Sequence, residues 1–326
     1  MKTAKLFIPL ATTALLLLAS CTEPIEFTGE ETNPIAVMQA TATQDSTFQV
    51  HLTWSRFFLD DGHAFPNIGN ADVQLTVNGV AQPLLNCDSG RYYFGHRPQS
   101  GDTMLITAKV PGYERGILRA QTVVPHEPQI ALENCTIDSS NSSGYNKEFN
   151  VAITLRLDDP STEENYYSIK LLYNEKTNYG NTQGYFVKGF NINDPLITGT
   201  SSAMDILIGE GSTTQDFREM LFSDQNVNGK SHNITINAKF YAYRNDDVSG
   251  NDDSTSYYWY QYPDTVMAVV KSLSAEEYRY IQSSQAAKKN DGNFFAEPVQ
   301  VICNVENGIG HLGAVSLKKI IIKKFH

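Results

Sequence analysis

The sequence predicts a mainly β protein: an immunoglobulin-like or prealbumin-like β-sandwich, then a larger β-rich domain with one or two short helices. Three observations predict it. Apolar and polar residues alternate with period two through most of the chain, the signature of half-buried strands. Tyrosine and phenylalanine are abundant, 17 and 16 in 326 residues, and together with threonine they favour the pleated sheet. Glycine, proline, asparagine and aspartate punctuate the alternating runs at the spacing of turns.

The first twenty residues stand apart from that pattern. Lys2 and Lys5 form a basic start, and Leu6 to Ala19 (LFIPLATTALLLLA) is an apolar run too short to span a bilayer as a helix. It leads into Leu18-Ala19-Ser20-Cys21, which resembles a bacterial lipobox. Residues 1–20 are therefore expected to be a lipoprotein signal peptide and Cys21 the acylated residue. An ordinary signal peptide with a chance cysteine is the alternative. Several acyl chains at about 0.8 kcal/mol per methylene anchor firmly, where one chain is marginal. Thr22 rather than aspartate follows the cysteine, which points to the outer membrane and leaves open which face carries the protein. Residues 21–34, rich in Glu, Thr, Gly and Pro, read as a tether.

Removing Lys2 and Lys5 leaves 23 basic against 36 acidic side chains, a net charge of −13. That balance argues against nucleic acid as a partner. Cys87, Cys135 and Cys303 show neither CxxC nor zinc-site spacing. One bridge is compatible with an oxidising envelope; three buried thiols acting as small apolar residues is the favoured expectation.

The first domain is expected over residues 35–126. Its strands are IAVMQATAT, TFQVHLTW, ADVQLTVNG, GRYYF, TMLITAKV and GILRAQTVV, separated by turns such as NGVAQP and DSGR. Pro125-His126-Glu127-Pro128 makes a stiff joint, because each proline also restricts its predecessor. The second domain is expected over residues 129–326. Its strand candidates are KEFNVAITLRL, NYYSIKLLY, GYFVKGF, HNITINAKFYAY, STSYYWYQY and DTVMAVVKSL. Two helices interrupt them. One is TTQDFREMLF, Thr213 to Phe222. The other starts at Ser274, where Ser274 and Glu277 spell a capping box behind the staple residue Leu273, and ends near Asn290.

Searching the chain for chemistry yields candidates rather than a catalytic constellation. GIGHLG, Gly308 to Gly313, spells a dinucleotide fingerprint, but the chain continues only as AVSLKKIIIKKFH, with room for one strand and no crossover helix. Gly308, Gly310 and Gly313 are instead expected to form a structural bend, at least one with positive φ and with no helix N-terminus beside them. Pro298 should open the preceding strand, and Asn304 and Asn307 should brace the bend through side-chain to backbone bonds. The seven histidines make no HExxH, and no GxSxG elbow occurs. Asp246, Asp247, Asp252 and Asp253 cluster, yet an EF-hand register through Gly250 puts Asn245 at position one and Ser256 at position twelve. A solvated acidic loop is the better reading. Tyr258, Tyr260 and Tyr262 would share one face of a strand and form a candidate binding face. No cofactor or resident metal is expected, and the protein is not expected to be an enzyme.

Several segments together carry a resemblance. NADVQLTVNG, DSGRYYF and GDTMLITAKVPGY in the first half, LFSDQNVNGK (Leu221 to Lys230), Tyr278-Arg279-Tyr280, and F-x-EPV-x-x-x-N-V-x-N-G-x-G-x-x-G at Phe295 to Gly313 are similar to the Bacteroides-type lipoprotein family known as domain of unknown function 4249. His311-Leu312 stands where a bulkier apolar or aromatic pair is expected. The resemblance implies an envelope lipoprotein, often encoded beside a TonB-dependent outer-membrane transporter, with no established ligand. The expected function is a non-enzymatic accessory or binding component of such an uptake system, with the transporter as partner. The alternative is a fimbrial or adhesin subunit of two β-sandwich domains, which would exchange a terminal strand between subunits.

Overall fold

The computed structural model describes residues 33–57, 64–142, 146–161, 163–177, 180–181, 184–198, 218–244, 259–290, 297 and 299–324. In chain order the first lobe contributes β1 (Ala36–Thr43), β2 (Gln49–Trp54), β3 (Asp72–Val77), β4 (Val80–Gln82), β5 (Leu84–Asp88), β6 (Arg91–Phe94), β7 (Thr103–Lys109) and β8 (Leu118–Val123). The second contributes β9 (Ile130–Ser142), β10 (Asn146–Asp158), β11 (Tyr166–Thr177), β12 (Gly180–Asn181), β13 (Phe186–Lys188), β14 (Asn191–Ile192), the short helix α1 (Pro195–Thr198), β15 (Met220–Ser223), β16 (Ser231–Arg244), β17 (Trp259–Leu273), helix α2 (Ala275–Asn290) and β18 (Ile309–Lys324).

Period-two alternation becomes a sandwich in the first lobe. One sheet runs β5-β6-β2-β1-β18 and the other β4-β3-β7-β8. Every second residue of β1, β3, β7 and β8 is buried, so Met38, Leu52, Leu75, Met104, Ile106 and Leu118 meet between the sheets. Removing side chains of that size from water stabilises by roughly 1.5–3 kcal/mol each. Tyr92 places its polar tip inside this core without penalty, because its hydroxyl donates to Ile68 O and accepts from Ala71 N–H, both at 2.9 Å.

The second lobe is also two-layered. β10 pairs with β9 and β16, and β11 pairs with β17, each over twelve or thirteen residues. β16 meets β17 only near their hairpin end, at Tyr243↔Gln261 and Arg244↔Trp259. Between the layers lie Ile153, Leu155, Ile169, Leu171, Ile234, Ile236, Val266 and Val270.

β18 belongs to both lobes. Its first half pairs parallel with β1, from Val37↔Ile309 to Thr43↔Val315. Its second half pairs antiparallel with β17, from Leu273↔Val315 to Thr265↔Lys324. Leu312 and Ala314 join the first core and Ile322 the second. The first core draws on residues 36–124 with Val305, Leu312 and Ala314, and the second on residues 130–322.

Several expectations need correction. Of the helix expected over Thr213 to Phe222, residues 213–217 lie outside the described residues, and Met220–Ser223 is not helix but β15, all four residues buried beside β11. From Trp259 onward the expected strands STSYYWYQY and DTVMAVVKSL share a single strand, β17, which passes Pro263 at a register irregularity where a missing N–H is tolerated. β4, β5 and β9 form in segments whose sequence reads as turn or carries no clear period. No disulfide joins Cys87, Cys135 or Cys303 among the described residues, and none of the three is buried as expected: Cys87 and Cys135 are half-buried and Cys303 is exposed.

Candidate functional site

The glycine run opens a strand rather than a helix: Gly308 lies in a bend, and Gly310 and Gly313 lie inside β18. Asn307 is left-handed at φ 60° and Gly310 has φ 126°. A Cβ on Gly310 would overlap the carbonyl of Met38 in the parallel neighbour, and one on Gly308 would strike Leu118 and Ala36 O. The run thus lets β18 lie close against β1. Asn304 makes a two-way bond with Leu312, its Nδ2 donating to Leu312 O at 2.8 Å and its Oδ1 accepting from Leu312 N at 2.9 Å. Asn307 Nδ2 donates to Ile117 O at 2.9 Å. The preceding strand does not form among the described residues; Glu306 makes only an isolated bridge to Arg119. Pro298 lies outside the described residues.

A helix N-terminus does lie beside the run, contrary to expectation. Ser274 caps α2 by accepting from Glu277 N–H at 3.2 Å. Its backbone pairs with Ala314, N–H to O at 2.9 Å, and its Oγ also accepts from Ala314 N–H. The capping box is therefore half formed. The Glu277 carboxylate turns away to His311 Nε2 at 2.6 Å and accepts from Thr41 Oγ1 at 3.3 Å. His311 is buried and stacked on Tyr280, with centroids 4.1 Å apart and planes 6° off parallel. A Cβ on Gly313 would intrude on this Glu277–His311 pair. These groups have no room for a substrate; they join helix, last strand and first lobe.

One place with room is the outer face of the second lobe. β9, β10, β16 and β14 turn their apolar residues inward, which leaves the alternate positions outside. Registered across the strands, they form rows: Asn134, Thr154 and Thr235; Thr136, Ala152, Asn237 and Asn191; Asp138, Asn150 and Lys239. Ala152 makes a low floor among longer side chains. Tyr241 and Lys188 border it, with the ammonium 5.8 Å from the ring centre. The resulting open trough has a volume of about 580 Å³. Four strands about 4.8 Å apart give it a width of roughly 15 Å. Amide, hydroxyl and carboxylate groups there offer both donors and acceptors to a partner. Lys239 lies 3.0 Å from Glu148 and, with Asn150, holds that carboxyl below its usual range.

Two further cavities occur. One, of about 470 Å³, lies at the lobe junction beside His126, Glu163, Glu164 and Glu276. The other, of about 670 Å³, lies at the end of the first lobe where the chain enters at Asn33, and Trp54, Arg56, Tyr113 and Arg115 line it.

The expected tyrosine face is placed only in part. Tyr260 and Tyr262 lie on β17, whereas Tyr258, the acids Asp246, Asp247, Asp252 and Asp253, and Cys21 lie outside the described residues. The trough escapes a search for motifs, yet it has a sequence signal. KEFNVAITLRL and HNITINAKFYAY put asparagine and threonine at outward positions where lysine and glutamate are commoner. The Glu277–His311 pair has no such signal, since 34 residues separate its members.

No curated protein matches the chain. Among solved structures, a chain of a chaperone-tip adhesin complex from CFA/I fimbriae biogenesis is similar at 11% identity, covering 72% of this chain and 75% of that one. Its TM-score of 0.21 carries no argument about architecture or activity. A family model described as domain of unknown function (DUF4249) matches residues 22–321, nearly the whole chain beyond the signal-like start, and the chain belongs to that family.

Proposed function

We propose that this protein is an outer-membrane lipoprotein that acts by binding, as an accessory component of a TonB-dependent uptake system. The observation that carries the binding part is the trough on β9, β10, β16 and β14, whose exposed asparagines and threonines suit a polar partner surface or cargo. The lipobox ending at Cys21 and the tether behind it support the anchor. The fimbrial alternative is less favoured because β18 is folded into its own chain, its first half against β1 and its second half against β17.

The test is purification of the tagged, lipidated protein under mild detergent. A TonB-dependent barrel should co-purify, and Asn237→Arg, an exposed change in the middle of the trough, should reduce its recovery by roughly tenfold, as for loss of about 1.4 kcal/mol of interaction. Recovery of no barrel, with Cys21 acylated, counts against the uptake role. Equal recovery with Asn237→Arg counts against the trough.

A further inference from the structure

The end of the first lobe where the tether arrives differs chemically from the rest of the surface. Asn33, the first described residue, lines the cavity there. Around it lie Trp54 and Tyr113, half-buried with one side against the first core and packed edge to face with centroids 5.7 Å apart. Phe65 is 60% exposed and Ile117 50% exposed. Arg56 and Arg115 supply cations in a molecule of net charge −13 after signal removal, with Glu114 the one acid lining that cavity among the described residues. Backbone contacts hold the segments together: Ser55 N–H donates to Ile35 O at 2.7 Å, and Tyr113 OH donates to Asn307 O at 2.8 Å.

We propose that this end is a bilayer-docking face: Trp54, Phe65, Tyr113 and Ile117 seat at the headgroup level of a phospholipid surface, and Arg56 and Arg115 meet its phosphates. Aromatic side chains with one apolar and one polar end prefer that depth, and arginine forks onto phosphate while its stem stays in apolar surroundings. The length of the connecting chain fixes the occupant. Residues 22–32 separate Cys21 from Asn33, a span of at most about 40 Å when extended and roughly 20 Å as a flexible coil. A lipid on Cys21 therefore keeps this end of the first lobe, where the chain enters, nearest the membrane. The inference rests on the proposed anchor.

Trp54 and Trp259 are the two tryptophans, so Trp259→Phe makes Trp54 a sole reporter. The natively lipidated protein would be reconstituted in phosphatidylethanolamine–phosphatidylglycerol vesicles, with and without a phosphatidylcholine bearing a headgroup nitroxide. A second sample, the chain from Thr22 with an N-terminal hexahistidine on nickel-chelating lipid, supplies the tether independently of acylation. Docking predicts a roughly twofold loss of Trp54 emission in both samples, as for a side chain within the 5–10 Å interfacial layer. Phe65→Asp with Ile117→Asp, both at exposed positions, should restore it. No loss in the tethered samples, as for a face that meets a protein instead, overturns the proposal. So does a loss unchanged by the two aspartates, which would report tether length alone. Mass spectrometry of Cys21 reads the anchor separately: an unmodified cysteine sinks the lipoprotein assignment while the hexahistidine sample still reads docking.

Discussion

Gly310 shows how one residue type can be required by a neighbour far away in sequence. Its φ of 126° lies where side chains with a Cβ are strained, and the added carbon would also meet Met38 backbone atoms that cannot rotate away. Gly310→Ala should therefore cost roughly 3 kcal/mol or more, strain and overlap together. Denaturant unfolding measures it; a cost no larger than that of an exposed Gly→Ala change would sink the argument. The fingerprint-like spelling of GIGHLG is thus a consequence of close strand approach.

At the scale of elements, helix α2 is where sequence and structure agree most closely and also where they part. Ser274, Leu273 and the run to Asn290 locate the helix, because caps act over three or four residues and leave a local trace. The use of Glu277 is not legible, since its partners Thr41 and His311 come from opposite ends of the chain. Breaking a buried pair of this kind by removing one partner costs about 3–5 kcal/mol. Glu277→Ala should lower stability by that order, and much less so in a His311→Phe background, where no imidazole is left unpaired. A full additive loss in the double variant would show that the two do not interact. The same limit explains β15 and β18. Met220 to Phe222, read from the sequence as the end of a helix, pair with β11 within β15 instead, because burial beside a neighbouring strand outweighs local propensity. Nothing local announces that AVSLKKIII pairs parallel with one strand and antiparallel with another. The first-lobe strands are legible because alternation is itself local, as is the outward polarity of β10 and β16.

The whole molecule should unfold as one unit, because β18 closes both cores and Thr122–Glu276 and Ser316–Pro125 bonds span the junction. Its response to acid follows from two carboxylates. Burial pushes the Asp102 carboxyl up, but bonds from Gln99 N–H, Asn78 and His96 outweigh it and hold it below the usual range. Burial likewise pushes Glu219 up, and Lys271 and Lys170 bring it below that range. Folded values below unfolded ones mean stability that is present above the ordinary carboxylate range of about 4 and lost as pH falls through the lowered values. Asp224 runs the other way: burial raises it, and the charge of Asp159 adds to that, so it offsets part of the acid loss. Calorimetry should show one transition at pH 7 whose midpoint falls as the pH is taken below about 4; two transitions at pH 7 would show independent lobes. The shared strand also sets an order in time. Residues 309–324 are synthesised after every other described element, so until they emerge β1 keeps a bare edge and β17 lacks a neighbour. Neither core is closed before those residues are in place. Closure of the two cores is therefore one event shared by both lobes, reached only when that strand docks.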